Sequence, residues 1–112
     1  MLTATLVGRL AGMPQPDAES RRTSPRRARL AGQVTAADVS PDGRTLAVMT
    51  YRYLLLYPRG PRQSWAGAVA RLPKTHVLPW LPQAEALGWT ADGHALYATG
   101  EFIPAPLYRI TP

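Results

Sequence analysis

The sequence contains no cysteine and only two histidines. The missing thiols exclude disulfide bridges and thiolate metal sites. His76 and His94 are too far apart in sequence to form a short-spaced histidine metal motif. No apolar run approaches the roughly 18 residues that a membrane-spanning helix needs. A Gly-x-Ser-x-Gly nucleophile elbow and a Gly-rich phosphate loop are also absent, so no local motif identifies catalytic residues.

The positive charge is concentrated in one short run. The 112 residues carry a net charge of +6, and five arginines lie within residues 21–29. Serine, threonine and proline interleave these arginines, which is typical of a solvated loop. We therefore predict that residues 11–33 form an Arg/Pro-rich loop, either a surface excursion between structural units or a disordered insertion. The rest of the chain is nearly neutral, so neither nucleic acid nor a membrane is predicted as a partner.

A hairpin signature occurs twice, at a spacing of fifty residues. Ser-Pro-Asp-Gly at 40–43 and Thr-Ala-Asp-Gly at 90–93 each separate two short β-favouring runs. Asp-Gly between such runs is the strongest short-range hairpin signal, because glycine accepts positive φ without steric cost. The same offset pairs identical residues, namely Ala36 with Ala86, Asp42 with Asp92, Gly43 with Gly93 and Leu46 with Leu96.

The two repeats predict a meander of short strands. Residues 64–72 form either a short helix capped by Ser64 or a fourth strand, and residues 75–78 are an alternative fourth strand. In the third strands, Leu107-Tyr108 aligns with Leu56-Tyr57. Trp65, Trp80 and Trp89 are expected to pack within or between the units. The predicted strands are residues 2–10, 34–39, 45–51, 53–57, 84–89, 95–100 and 107–110.

Antiparallel units that repeat at this spacing indicate β-propeller blades. The predicted fold is all-β, with blade 1 in residues 34–82 and an incomplete blade 2 in residues 83–112. Residues 1–10 supply the outer strand of a preceding blade, or complete blade 2 by pairing with residues 107–110. Because propellers carry about four to eight blades, the chain is expected to be a propeller fragment, a truncated reading frame without independent function, or a subunit that self-associates through exposed blade faces.

The first repeat, Val34-Thr-Ala-Ala-Asp-Val-Ser-Pro-Asp-Gly-Arg-Thr-Leu-Ala-Val-Met-Thr-Tyr51, resembles a bacterial WD40-like (PD40-type) blade. Together with residues 83–87, 98–101 and 106–109, it resembles the C-terminal blades of the phytase-like propellers, the group described as having the esterase-like activity of phytase. The chain departs from that pattern at Gly100, where a serine is expected. The resemblance implies a phosphoesterase or esterase-type hydrolase acting on a small phosphorylated or ester substrate, with Ca²⁺ as a possible cofactor, in a parent protein that is often exported.

Three acidic residues are the candidate metal ligands. Glu85 is expected near the start of an inner strand, and Glu101 at the end of the strand that follows it in the hairpin. Antiparallel strands bring these two positions to the same end of the sheet. Asp38 lies on the inner strand of blade 1, where it is either a channel-facing ligand or a partner for a neighbouring backbone N–H. Ca²⁺ prefers six to eight oxygen ligands, so other blades would have to supply the rest.

The sequence leaves open whether the propeller is a hydrolase and where the protein is located. A propeller without catalysis, acting as a binding or scaffold module, is the alternative to a hydrolase. Asp42 and Asp92 are interpreted as turn residues that bond local backbone groups. The first twelve residues lack the basic start of a signal peptide, and Arg9 interrupts their apolar stretch, so no export signal is predicted.

Overall fold

The chain is built mostly from β-strands. The computed structural model describes residues 2–15, 17–79, 84–101 and 104–112. Trp80, Gln83 and the predicted boundary between the repeats lie outside the described residues. The elements are α1 (Ala18–Thr23), α2 (Pro25–Ala31), β1 (Val34–Val39), β2 (Thr45–Thr50), β3 (Tyr53–Pro58), α3 (Trp65–Val69), β4 (Lys74–Val77), β5 (Ala84–Trp89), β6 (Leu96–Gly100) and β7 (Leu107–Ile110).

The strands form two antiparallel sheets in sequence order. Sheet A has the order β1-β2-β3-β4, and sheet B has the order β5-β6-β7. The prediction of an all-β chain with two antiparallel units is therefore confirmed. Both options for residues 64–78 are realised, because α3 begins after Ser64 and β4 supplies the fourth strand. The Ser64 hydroxyl accepts a hydrogen bond from the Gly67 N–H at 3.1 Å, as expected of an N-cap.

The two predicted hairpin turns have the same hydrogen-bond network. In the first, the carboxylate of Asp42 accepts bonds from the Ser40 hydroxyl at 2.6 Å and the Arg44 N–H at 3.0 Å. In the second, Asp92 accepts from Thr90 at 2.5 Å and from the His94 N–H at 3.0 Å. The glycines that follow both aspartates have φ of +73° and +74°. The turns are thus structural repeats of one another.

The two sheets pack face to face around a shared apolar core. Ala47, Met49 and Leu54 of sheet A are buried against Leu96 and Ala98 of sheet B. Because side chains alternate along a strand, the neighbours of these residues lie on the outer side of each sheet. The outer side of sheet A buries Val48, Leu55 and Tyr57, whereas the outer side of sheet B leaves Tyr97 and Leu107 exposed.

The two repeats pack head to tail, which here means that non-equivalent sides of the two sheets are in contact. Leu96 lies in the core between the sheets, yet its repeat partner Leu46 packs on the outer side of sheet A. The equivalent sides of the two sheets therefore face the same direction, and the inner side of sheet A meets the opposite side of sheet B. β1 and β5 lie next to each other in this arrangement.

The N-terminal segment does not form the predicted strand. Residues 2–10 contain no strand, and β7 pairs only with β6 among the described residues. The segment instead crosses α3 and the outer side of sheet A. Gly8 lies so close to α3 that a Cβ there would stand 3.1 Å from the Val69 side chain, and the Ala11 N–H donates to the Val69 carbonyl at 2.8 Å. The Tyr57 hydroxyl donates to the Ala11 carbonyl at 2.6 Å, which fixes the segment on the sheet.

The Arg-rich region is helical, so the prediction of a loop over residues 11–33 is wrong for much of that range. The Asp17 carboxylate accepts a bond from the Ser20 N–H at 2.7 Å and caps α1. Pro25 begins α2, where the lack of a backbone N–H costs nothing. All five arginines of the run remain exposed. No helix within the described part of the chain is long and apolar enough to cross a bilayer.

The third strands align differently from the sequence prediction. Leu54 pairs with Met49 and Leu107 pairs with Thr99, the residue equivalent to Met49. Leu107 therefore corresponds to Leu54 rather than to Leu56. The shift is two residues, so each side chain stays on its predicted side of the sheet.

Candidate functional site

A β-bulge presents Glu85 at the beginning of β5. Ala84 pairs with Gly100 and Ala86 pairs with Thr99, which leaves Glu85 as the extra residue between two paired positions. Bulges re-aim side chains and are common next to functional sites. Glu101 directly follows the paired Gly100, so both carboxylates lie at the same end of the β5–β6 hairpin, as the sequence predicts. The two side chains share a hydrogen bond.

A tyrosine from sheet A completes this cluster. The Tyr51 hydroxyl donates a hydrogen bond of 2.5 Å to Oε1 of Glu85. Tyr51 follows the last residue of β2, and the head-to-tail packing brings this end of sheet A beside the start of β5. We refer to Tyr51, Glu85 and Glu101 as the carboxylate cluster.

The pKa values of the two carboxyl groups move in opposite directions. The hydrogen bond from Tyr51, followed by the bond shared with Glu101, lowers the pKa of Glu85. The bond to Glu85 and the negative charge of that carboxylate raise the pKa of Glu101. The same Glu85 contact raises the pKa of Tyr51 to about 12. Since both glutamates are exposed, solvent moderates the size of these shifts. When the pair holds a single proton, these directions place it on Glu101, which then donates to Glu85.

Asp38 lies at the other end of the hairpins and is not part of the carboxylate cluster. Its Oδ2 accepts a hydrogen bond from the Trp89 N–H at 2.9 Å, and its carbonyl oxygen accepts one from the Trp89 indole at 3.0 Å. Asp38 is the penultimate residue of β1 and Trp89 is the last residue of β5, so both lie close to the hairpin turns. Asp38 therefore bonds a neighbouring backbone N–H, which is the second of the two alternatives predicted from the sequence. This bond joins sheet A to sheet B.

The carboxylate cluster does not by itself fit a Ca²⁺ ion. Ca²⁺ takes six to eight oxygen ligands, whereas the cluster offers the oxygens of two carboxylates, one of which already accepts from Tyr51. Among the residues that the structure describes, no group of three or more His, Asp or Glu side chains lies close enough to hold a metal.

The sequence reasoning missed Tyr51 as a member of the cluster. The fifty-residue offset places Tyr51 at the position of Glu101 and Thr35 at the position of Glu85, but it does not indicate that Tyr51 of one repeat contacts Glu85 of the other. Each sheet thus carries polar residues at this end of its first hairpin. The histidines are exposed and stand apart from the cluster, His76 on β4 and His94 in the second turn.

Trp65 has a structural partner. The Arg59 guanidinium lies over its ring, 4.7 Å from the centroid, and also donates to the Gly43 carbonyl at 2.8 and 3.0 Å. This contact ties α3 to the first hairpin turn, as expected of a packing residue.

Comparison of the chain with protein-family models, with curated proteins and with solved structures finds no match.

Proposed function

We propose that the two sheets are consecutive blades of a phytase-like β-propeller whose ring is completed by further blades. The head-to-tail packing supports this, because a further blade would pack on the outer side of sheet B in the same way that sheet B packs on sheet A. The adjacent positions of β1 and β5 fit inner strands that line a central channel. The resemblance of the first repeat to a WD40-like blade points the same way.

The activity that the cluster supports best is hydrolysis of a phosphoester or an ester. The observation that carries this proposal is the carboxyl pair, in which one group is favoured as the acid and the other as the base. Groups whose pKa values are separated by their surroundings are the usual acid and base of an active site. In this proposal Glu85 accepts a proton from the attacking water, and Glu101 donates one to the leaving oxygen. Tyr51 positions Glu85 through the 2.5 Å bond.

The test is hydrolysis of p-nitrophenyl phosphate and p-nitrophenyl acetate by the purified chain. General acid–base groups contribute about 10²–10⁴-fold to a rate. We expect Glu85→Gln and Glu101→Gln each to lower the rate at least about tenfold, whereas Glu19→Gln, an exposed change on α1, leaves it unchanged. The rate should fall at low pH as Glu85 is protonated and fall again as pH rises through the elevated pKa of Glu101. A wild-type rate equal to the blank, or equal rates for all three variants, would exclude hydrolysis by this pair of blades.

A propeller module that binds without catalysis is the second candidate. The observation that favours it is the outer side of sheet B, where the Tyr97 side chain is 43% exposed and Leu107 is 67% exposed. A second copy of the chain is the simplest partner for this surface. Sedimentation velocity over a range of concentrations should then reveal a dimer that Leu107→Asp abolishes. A wild-type chain that remains monomeric at all concentrations would exclude self-association through this surface.

A further inference from the structure

A cavity of about 500 Å³ lies between the α1–α2 hairpin and the start of β3. Its lining residues include two arginines, Arg27 from α2 and Arg52 from the turn before β3. Ser20 and Ser24 line the same space. None of its lining residues belongs to the carboxylate cluster, so this is a separate place on the molecule.

Arg52 is held in position by the fold. Its Nη1 donates a hydrogen bond of 2.7 Å to the Leu78 carbonyl, and its backbone N–H donates to the Thr50 hydroxyl at 3.1 Å. A guanidinium has five N–H donors, so the bond to Leu78 anchors the group and uses only one of them. An anchored cation in a concave wall binds an anion at a smaller entropic cost than a mobile surface arginine does.

The charge of the cavity walls favours an anion. The two arginines stand against one carboxylate, Asp17, whose Oδ1 already accepts a bond from the Ser20 N–H at 2.7 Å. Guanidinium groups match the oxygens of phosphate with two parallel bonds, and serine hydroxyls add further donors. Tyr53 also lines the cavity and adds an aromatic residue beside these polar residues.

We propose that this cavity binds a small phosphate monoester. The phosphate lies between Arg27 and Arg52 and accepts bonds from the serine hydroxyls, and the organic group lies against Tyr53. The Arg-rich segment thus serves to close a binding site over sheet A. This site is independent of the proposed hydrolase and would stand even if the carboxylate cluster had no activity.

The probes are phenyl phosphate, inorganic phosphate and benzoate, each titrated into the whole chain by isothermal calorimetry. We expect saturable binding of phenyl phosphate with a dissociation constant on the order of 1 mM or tighter. Inorganic phosphate should bind more weakly, because it lacks the ring. Benzoate carries the ring with a singly charged carboxylate and should bind at least about tenfold more weakly than phenyl phosphate. Benzoate binding as tight as phenyl phosphate, or no saturable binding of phenyl phosphate, would overturn the proposal.

Two neighbouring arginines of α2 give a matched pair of variants. Arg27 lines the cavity and Arg26 does not, although both are exposed and carry the same charge. Arg27→Gln should weaken phenyl phosphate binding by about tenfold or more, and Arg26→Gln should change it by less than about twofold. Equal weakening by both variants would indicate diffuse attraction and overturn the site.

A measurement on the unmodified chain removes any dependence on how the variants fold. Phenyl phosphate should shift the backbone amide resonances of residues 20–24 and 26–28, and those of Arg52 and Tyr53, in the NMR spectrum. Shifts confined to other parts of the chain would contradict this location.

Discussion

Replacing Leu96 with alanine tests the packing of the two sheets. The Leu96 side chain is 0% exposed and lies in the core between sheet A and sheet B. A Leu→Ala change in such a core removes apolar contacts and leaves a cavity, at a cost of about 2–5 kcal/mol. For a domain of this size each kcal/mol lowers Tm by roughly 4 °C, so the expected decrease is roughly 8–20 °C.

Leu107 is the matched control, since it lies on the outer side of the same sheet and is 67% exposed. Leu107→Ala should change the free energy of unfolding by less than about 0.5 kcal/mol. Both variants would be compared by urea unfolding followed by tryptophan fluorescence and by thermal melts followed by circular dichroism. If Leu107→Ala lowers the free energy of unfolding as much as Leu96→Ala does, or more, the reasoning is refuted, because the outer side of sheet B would then be the buried one.

Two further perturbations probe the turn and the tyrosine. Gly93→Ala places a Cβ at φ of +74° and should lower the free energy of unfolding in urea by about 1–2 kcal/mol. In the control Gly60→Ala, the new Cβ meets no atom closer than 3.8 Å, so the free energy of unfolding should change little. Equal decreases for the two variants would contradict the turn geometry. The pKa of Tyr51 is raised from 10.0 to about 12 by its bond to Glu85, so the stability from this contact is complete below pH 10 and is lost as pH rises through about 12. In an ultraviolet titration, Glu85→Gln should move the ionisation of one tyrosine back toward pH 10, and superimposable titration curves would show that the bond is not formed.

The hairpins could be predicted from the sequence because their determinants are local. The Asp-Gly pair fixes each turn, and the flanking runs carry the alternation of a half-buried strand. The bounds of β1, β5 and β7 agree with the prediction to the residue. The position of Glu85 and Glu101 at the same end of the hairpin follows from the antiparallel pairing alone, so it could also be predicted from the sequence.

The predictions failed where local signals were outweighed or overlooked. Residues 2–10 have the alternation of a strand, but they cross α3 instead of extending the edge of a sheet. The composition of residues 11–33 is typical of a loop, yet Asp17 as a cap and Pro25 at a first helical position were helix-start signals within it.

The contacts between the sheets depended on information that a single repeat does not contain. The bonds of Asp38 with Trp89 and of Tyr51 with Glu85 each join residues on different sheets. Their geometry is set by the head-to-tail packing, which involves the whole pattern of buried side chains. The fifty-residue offset identifies equivalent positions in the two repeats, but it does not state which side of one sheet meets which side of the other.

The titration of the two glutamate carboxyl groups tests the carboxylate cluster most directly. Carbon-13 NMR of the side-chain carboxyl resonances, followed over pH, would give one curve for Glu85 and another for Glu101. We predict a pKa below the usual 4.5 for Glu85 and above it for Glu101, with the Glu85 value rising in Tyr51→Phe. Two coincident curves near the usual value, unchanged by the tyrosine variant, would contradict the shared proton on which the proposed acid–base chemistry rests.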